Sequence, residues 1–229
     1  RPVFAVYSTF LQRAVDCVMH DVCLQRLPVL FCLDRAGVVG SDGPTHHGIY
    51  DIAMLRCLPH LTLMQPKDAR ELAAMMKTAL AHDGPVAIRY PREPGPSVDL
   101  GPDIAPLPIG VAETVVEPEE ADGSAVWFWA LGDMLPLACE TAALLRAAGV
   151  RCGVVNARFI KPLDTGRLWA QARQGARFVT LENGAVAGGF GSAVREALAA
   201  GGYDAPVHAC GWPDEFVGQG TTQQLMQDH

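Results

Sequence analysis

Apolar runs of strand length recur along this chain between stretches of helical period, and no other feature narrows its fold so sharply. VFAVYS, PVLFCLD, LTLMQP and PVAIRY come first, and AVWFWALG, CGVVNARFI, ARFVTLEN and PVHACG follow after residue 124. These runs are apolar at successive rather than alternate positions, so both faces of each strand must be covered, as in parallel sheets between helix layers. Helical segments lie between them. FLQRAVDCVMHDVCLQ carries Leu11, Val15, Val18 and Val22 at helical spacing; IYDIAMLRCL and ARELAAMMKTALAH follow, then LPLACETAALLRAAG, TGRLWAQARQ and SAVREALAAGG. Asp68, with Glu71 three residues on, has the pattern of a capping box at the start of the third helix. The fold class expected is α/β: two three-layer α/β/α domains with mainly parallel sheets. CGVVNARFI reads as one strand, and the closing QQLMQDH as a polar tail.

Charge helps to place the boundary. Up to Gly95 the net charge is +1, whereas beyond it the net is −8, making −7 in all. Between the halves, PREPGPSVDLGPDIAPLPIG holds six prolines and continues neither helix nor central strand. The expected division is 1–95, a linker at 96–110, and 111–229, with VAETVVEP as an edge strand and EPEEADG as an acidic turn. An acidic chain without a basic face is a poor nucleic-acid binder. No apolar run approaches the roughly 18 residues needed to span a bilayer, so the expectation is a cytoplasmic protein without membrane contact. The seven cysteines (17, 23, 32, 57, 139, 152 and 210) stand singly in apolar stretches, and reduced core residues are favoured over metal ligands or a disulfide frame. The chain opens without methionine on a strand-like run, which suggests that something precedes it.

In an open parallel sheet, ligands bind at the carboxyl ends of the strands. Three turns qualify. The first supplies Tyr7, Ser8, Thr9, Phe10 and Arg13; the second is DRAGVVGSDGPTHHGIYD, residues 34–51; the third supplies Pro91 and Arg92. The second is too long for a mere connector. Arg13 and Arg92, with Arg89 in reserve, could offer planar forks to a phosphate or carboxylate, or could be ordinary surface or ion-pair residues. Phe10 could face a heteroaromatic ring or lie in the core. His46 and His47 are candidates for proton transfer, with Asp42 able to orient an imidazole, although a loop histidine is often only solvated. The Gly-rich run ENGAVAGGFGSAV opens a helix, yet it lacks the glycine spacing of a dinucleotide site, and tight helix packing explains it better.

YSTFLQRAVDCVMHDVCLQRLPVLFCLDRAGVVGSDGPTHHGIYD, with LRCLPHLTLMQP, DGPVAIRYPR, LGDM, FIKPLD, ENGAVAGGFGSAV and QGT, resembles the 1-deoxy-D-xylulose-5-phosphate synthase family of the thiamin-diphosphate-dependent transketolase superfamily. The resemblance covers nearly the whole chain. It implies the later part of a pyrimidine-binding domain, then a transketolase C-terminal domain serving architecture and dimerisation, within a homodimer. The family condenses pyruvate with D-glyceraldehyde 3-phosphate and releases carbon dioxide, for isoprenoid, thiamin and pyridoxal precursors. Carried over by residue, Phe10 would stack on the aminopyrimidine and Arg35 would hold that side of the cofactor. Tyr7, Asp42 and His46 would line the reacting centre, and Arg13 and Arg92 would clamp the substrate phosphate. His47 is not fixed by the pattern. The glutamate that activates the aminopyrimidine and the GDG…N pattern for Mg²⁺ and diphosphate do not occur here; both are expected upstream, with no metal ligands in this chain. The resemblance therefore implies a chain that is inactive without an N-terminal portion of the same enzyme. A transketolase, a 2-oxoacid dehydrogenase β subunit, and a non-catalytic dimerisation module are the alternatives.

Overall fold

The computed structural model describes residues 1–119 and 124–229. The acidic turn expected at 117–123 thus falls mostly outside the described residues. In chain order the structure opens with β1 (Val3–Tyr7), which runs directly into α1 (Ser8–Leu11), a 3-10 turn (Gln12–Ala14), α2 (Val15–Cys17) and a π segment (Val18–Cys23). The single helix expected here is helical throughout but irregular. Of the residues at helical spacing, Leu11 and Val18 are buried, while Val15 and Val22 are half-buried. Then come β2 (Leu30–Asp34), α3 (Asp51–Leu55), β3 (Thr62–Met64), α4 (Ala69–Ala81) and β4 (Val86–Arg89).

The Asp68 side chain accepts the Glu71 N–H at 2.7 Å, as the capping pattern requires. Only half of the box forms. The Glu71 carboxylate takes the Lys67 N–H instead and pairs with Arg158 at 2.6 Å, because charge at the domain junction outbids the local return bond.

Beyond the proline-rich stretch lie β5 (Glu113–Val116), β6 (Val126–Ala130), α5 (Leu135–Ala147), β7 (Cys152–Asn156), β8 (Phe159–Lys161), α6 (Thr165–Arg173), β9 (Arg177–Ala185), α7 (Phe190–Ala200), β10 (Val207–Trp212) and α8 (Thr222–Asp228). One sheet has the order β1-β2-β4-β3-β8 and the other β10-β9-β6-β7-β5. Every pairing is parallel except the edge pairings of β8 with β3 and of β5 with β7. The strand expected over CGVVNARFI is therefore two strands in two sheets. Arg158 takes φ 58, which breaks the extended chain, and the segment crosses from β7 into the first sheet as β8. An apolar cluster continues across the junction, from Leu33 and Leu63 through Ile160 to Val155 and Trp129.

Two further expectations are corrected. The polar tail forms α8, opened by a capping box in which Thr221 and Gln224 each satisfy the other's backbone N–H. All seven cysteines are free thiols, but Cys17 and Cys57 are exposed rather than in the core.

Candidate functional site

The order β1-β2-β4 sets three parallel strands side by side, so the turns that follow them share one rim. Backbone bonds join these turns. The Ala36 N–H reaches the Tyr90 carbonyl at 3.0 Å, and Gly37 and Gly48 exchange N–H···O bonds of 2.8 and 2.7 Å that close the neck of the long loop. Gly48 has no room for a side chain: a Cβ there would lie 2.6 Å from the Ser8 side chain and would strike the Arg35 carbonyl.

Above that neck four side chains form a column. The Arg35 guanidinium lies 3.8 Å over the Tyr7 ring. Tyr7 stacks on Phe10 with centroids 5.1 Å apart and planes at 16°. Phe10 meets His46 edge to face at 5.7 Å. Phe10 stays 45% exposed, so its ring is not a core residue. The His46 Nδ1 is 3.0 Å from Thr45 Oγ1. Arg35 Nη1 bonds Asp34 at 2.5 Å, while its Nε is buried without a partner. Asp42 stands 3.9 Å from Arg92, which is as far again from Glu93. That spacing is a loose attraction rather than a saturated pair, so the Arg92 fork has donors to spare.

Three sequence candidates fall elsewhere. Arg13 is exposed on the 3-10 turn and makes no hydrogen bond or ion pair among the described residues; no contact joins it to Arg92. Arg89, held in reserve as an anion fork, is fully buried: it pairs with Asp51 at 3.0 Å, bonds Gln65 and donates to the Asn183 carbonyl at 2.9 Å. It has no free edge for a ligand. His47 is 2% exposed and bonded at both ring nitrogens, to Val39 and Gly218.

Sequence reasoning missed a polar node that joins the two sheets. Asn183 donates to Asp133 at 2.7 Å and accepts from Trp212 Nε1 at 2.8 Å and from the Val38 N–H at 3.0 Å. Gln65 donates to the other oxygen of Asp133 at 2.7 Å. Burial pushes the Asp133 carboxyl up, against these bonds and the charge of Arg89. Asp133 and Asn183 follow or end parallel strands of the second sheet, so the carboxyl-end rule that selected the first three turns could have selected them too. A cavity of about 440 Å³ is lined by Val38, Tyr90, Pro91, Asp133 and Asn183, among others. None of the column residues lines it, so the candidate site rests on the side-chain cluster.

The Gly-rich run has a physical explanation. The buried Glu182 carboxyl group accepts the Phe190 and Gly191 N–H groups at 2.7 and 2.8 Å, so the protein's own side chain fills the N-terminus of α7. A Cβ at Gly191 would meet Ala209 at 2.6 Å, which is the tight packing expected of the run. Desolvation by burial raises Glu182 to about 7, despite those two bonds and the nearby Arg89 and Arg56.

Two mainly parallel α/β sheets, with the candidate site on the carboxyl rim of the first and a polar node binding it to the second, define a transketolase-like protein. Residues 1–96 match the transketolase pyrimidine-binding domain and residues 116–229 the transketolase C-terminal domain, and the chain belongs to the transketolase family. It is 50% identical over its whole length to the 1-deoxy-D-xylulose-5-phosphate synthase of Heliobacterium modesticaldum, and 53% identical over 98% of its length to that of Acaryochloris marina. It spans 35% of each of these relatives. A split-gene transketolase, solved as an inactive β4 tetramer, superposes with a TM-score of 0.87 at 33% identity, over 99% of this chain and 71% of that one. A Pichia stipitis transketolase in complex with sedoheptulose 7-phosphate shares the fold, with a TM-score of 0.74 at 18% identity over 98% of this chain and 31% of that one.

Proposed function

We propose that this chain provides the substrate-binding part and the pyrimidine-facing part of the cofactor site of a 1-deoxy-D-xylulose-5-phosphate synthase. That enzyme joins pyruvate to D-glyceraldehyde 3-phosphate with loss of carbon dioxide. The observation that carries this reading is the Arg35–Tyr7–Phe10–His46 column at the rim where Asp42 meets Arg92.

The column suits a heteroaromatic cofactor. Phe10 has one face on Tyr7 and remains half-exposed, and Arg35, over the Tyr7 ring, keeps a buried N–H without a partner. Thiamin diphosphate, when bound, supplies the electron sink that decarboxylation of a 2-oxoacid requires. Phe10 would stack on its pyrimidine and Arg35 would hold that side. His46 moves a proton at the substrate oxygens, with Tyr7 and Asp42 lining the same space. Arg92 binds the phosphate of the aldehyde substrate bidentately. For the second guanidinium, the placement favours Arg35 over Arg13, because Arg35 directly follows β2, the neighbour of the strand that leads into the Arg92 turn.

The diphosphate and Mg²⁺ are held by an N-terminal portion of the same enzyme, which this chain needs for turnover. The split-gene relative, inactive as a β4 assembly, supports that reading and supports self-association, which we take to be a homodimer in the completed enzyme. The test combines thiamin diphosphate, Mg²⁺ and both substrates with the chain alone and with the chain joined to an N-terminal portion. Product is expected only from the second mixture. Steady product from the chain alone overturns the need for a partner portion, and none from either overturns the synthase reading.

A further inference from the structure

We propose that His47, beside the proton-transfer residue, is a positioning residue that ties the reacting-centre loop to the segment before α8, so that the C-terminal half helps to set the geometry of His46 and Asp42. The inference rests on the synthase reading. His47 is 2% exposed and bonded at both nitrogens. Its Nδ1 accepts the Val39 N–H at 3.1 Å, which leaves Nε2 to carry the proton and donate it to the Gly218 carbonyl at 2.9 Å. One bond fastens the loop to itself; the other fastens it across 171 residues of sequence to the segment before α8.

Around this bond the second half grips the loop at further points. Val38 donates to Asn183, Gln219 Nε2 donates to the Ser41 carbonyl at 2.8 Å, and the Ala185 N–H reaches the Ile49 carbonyl at 2.7 Å. A Cβ at Gly40 would stand 3.1 Å from the Gly220 carbonyl and from Thr222, so the loop backbone lies close against that segment. Asp42 and His46 sit between these anchors, and His46 is the next residue to the bridge. By contrast, their contacts with the rest of the rim are loose, a 3.9 Å approach to Arg92 and ring contact with an exposed phenylalanine, and the one close side-chain bond, His46 Nδ1 to Thr45 Oγ1 at 3.0 Å, stays within the same loop. Orientation of the two side chains must therefore come from the anchored backbone, and small displacements of a catalytic group are costly in rate.

Two substitutions separate the bonds. His47→Asn keeps an acceptor where Nδ1 stood but is too short to reach Gly218; His47→Gln places its amide donor at the Nε2 position. In the enzyme completed with its N-terminal portion, H47N and His47→Ala should lose kcat by about ten- to a hundredfold with KM for both substrates nearly unchanged. H47Q should recover most of it. Melting temperatures measured alongside identify a variant that fails to fold; where His47→Ala fails, the comparison of folded H47Q with folded H47N decides. H47N as fast as the wild type, or H47Q no better than H47N, overturns the proposal. Absence of product in the wild type overturns the synthase reading instead.

Discussion

Arg89 and Asp51 form an ion pair sealed from water, with both side chains 0% exposed and Nε 3.0 Å from Oδ2. The pair stands where the first sheet meets the second, since Arg89 also donates to Asn183 and bonds Gln65. Taking one partner from a buried pair leaves an uncompensated charge, which costs about 3–5 kcal/mol. Asp51→Asn should lose that much stability in chemical denaturation, whereas a substitution at exposed Arg13 should change it little. An Asp51→Asn protein as stable as the wild type would mean that water or another anion reaches Arg89.

Removal of the Phe10 ring should act on cofactor affinity rather than on the fold. The ring is half-exposed, so little packing is lost, while aromatic stacking is worth about 0.5–1.5 kcal/mol beyond area burial. In the completed enzyme, Phe10→Ala should raise the Kd for thiamin diphosphate by about three- to tenfold, with unfolding nearly unchanged, as titration calorimetry and denaturation can check.

The arginines should sort by position. Arg92→Ala and Arg35→Ala should each raise KM for the triose phosphate by about tenfold or more, because a charge-assisted bidentate contact is lost. Arg13→Ala should stay within about twofold of wild type. An Arg13 variant as impaired as the Arg92 variant would restore the clamp expected from the sequence.

Glu182 gives the stability of the fold a pH dependence. Its carboxyl is raised to about 7 by desolvation, so the folded protein holds a proton that the unfolded chain has already released. The stabilising contribution is complete below the unfolded value of about 4.5 and is lost as pH rises through about 7, by up to about 3 kcal/mol at 1.36 kcal/mol per unit. Denaturation from pH 4.5 to 8 should therefore show wild-type stability falling relative to Glu182→Gln; parallel curves would indicate that Glu182 is ionised throughout.

Local rules carried the sequence reading far. The cap at Asp68 formed because its bond spans three residues. The three turns share a rim because they follow neighbouring parallel strands, a consequence of chain topology. What was not legible depends on distant partners. Arg89 looked like a ligand fork because Asp51 and Asn183 are far away in sequence. CGVVNARFI looked continuous because nothing in its apolar pattern marks the positive φ of Arg158, whose place is fixed by Glu71 and Glu113. The α8 helix was overlooked although Thr221 and Gln224 have capping-box spacing, since a polar tail shows little apolar period.

The fate of carbon-13 tests the central claim most directly. The completed enzyme, with thiamin diphosphate and Mg²⁺, is given [2-¹³C]pyruvate and D-glyceraldehyde 3-phosphate and followed by NMR. The expected result is label at C2 of 1-deoxy-D-xylulose 5-phosphate with one equivalent of unlabelled carbon dioxide, and its loss in His46→Ala. Transfer of a two-carbon ketol unit between sugar phosphates, with pyruvate untouched, would contradict the account.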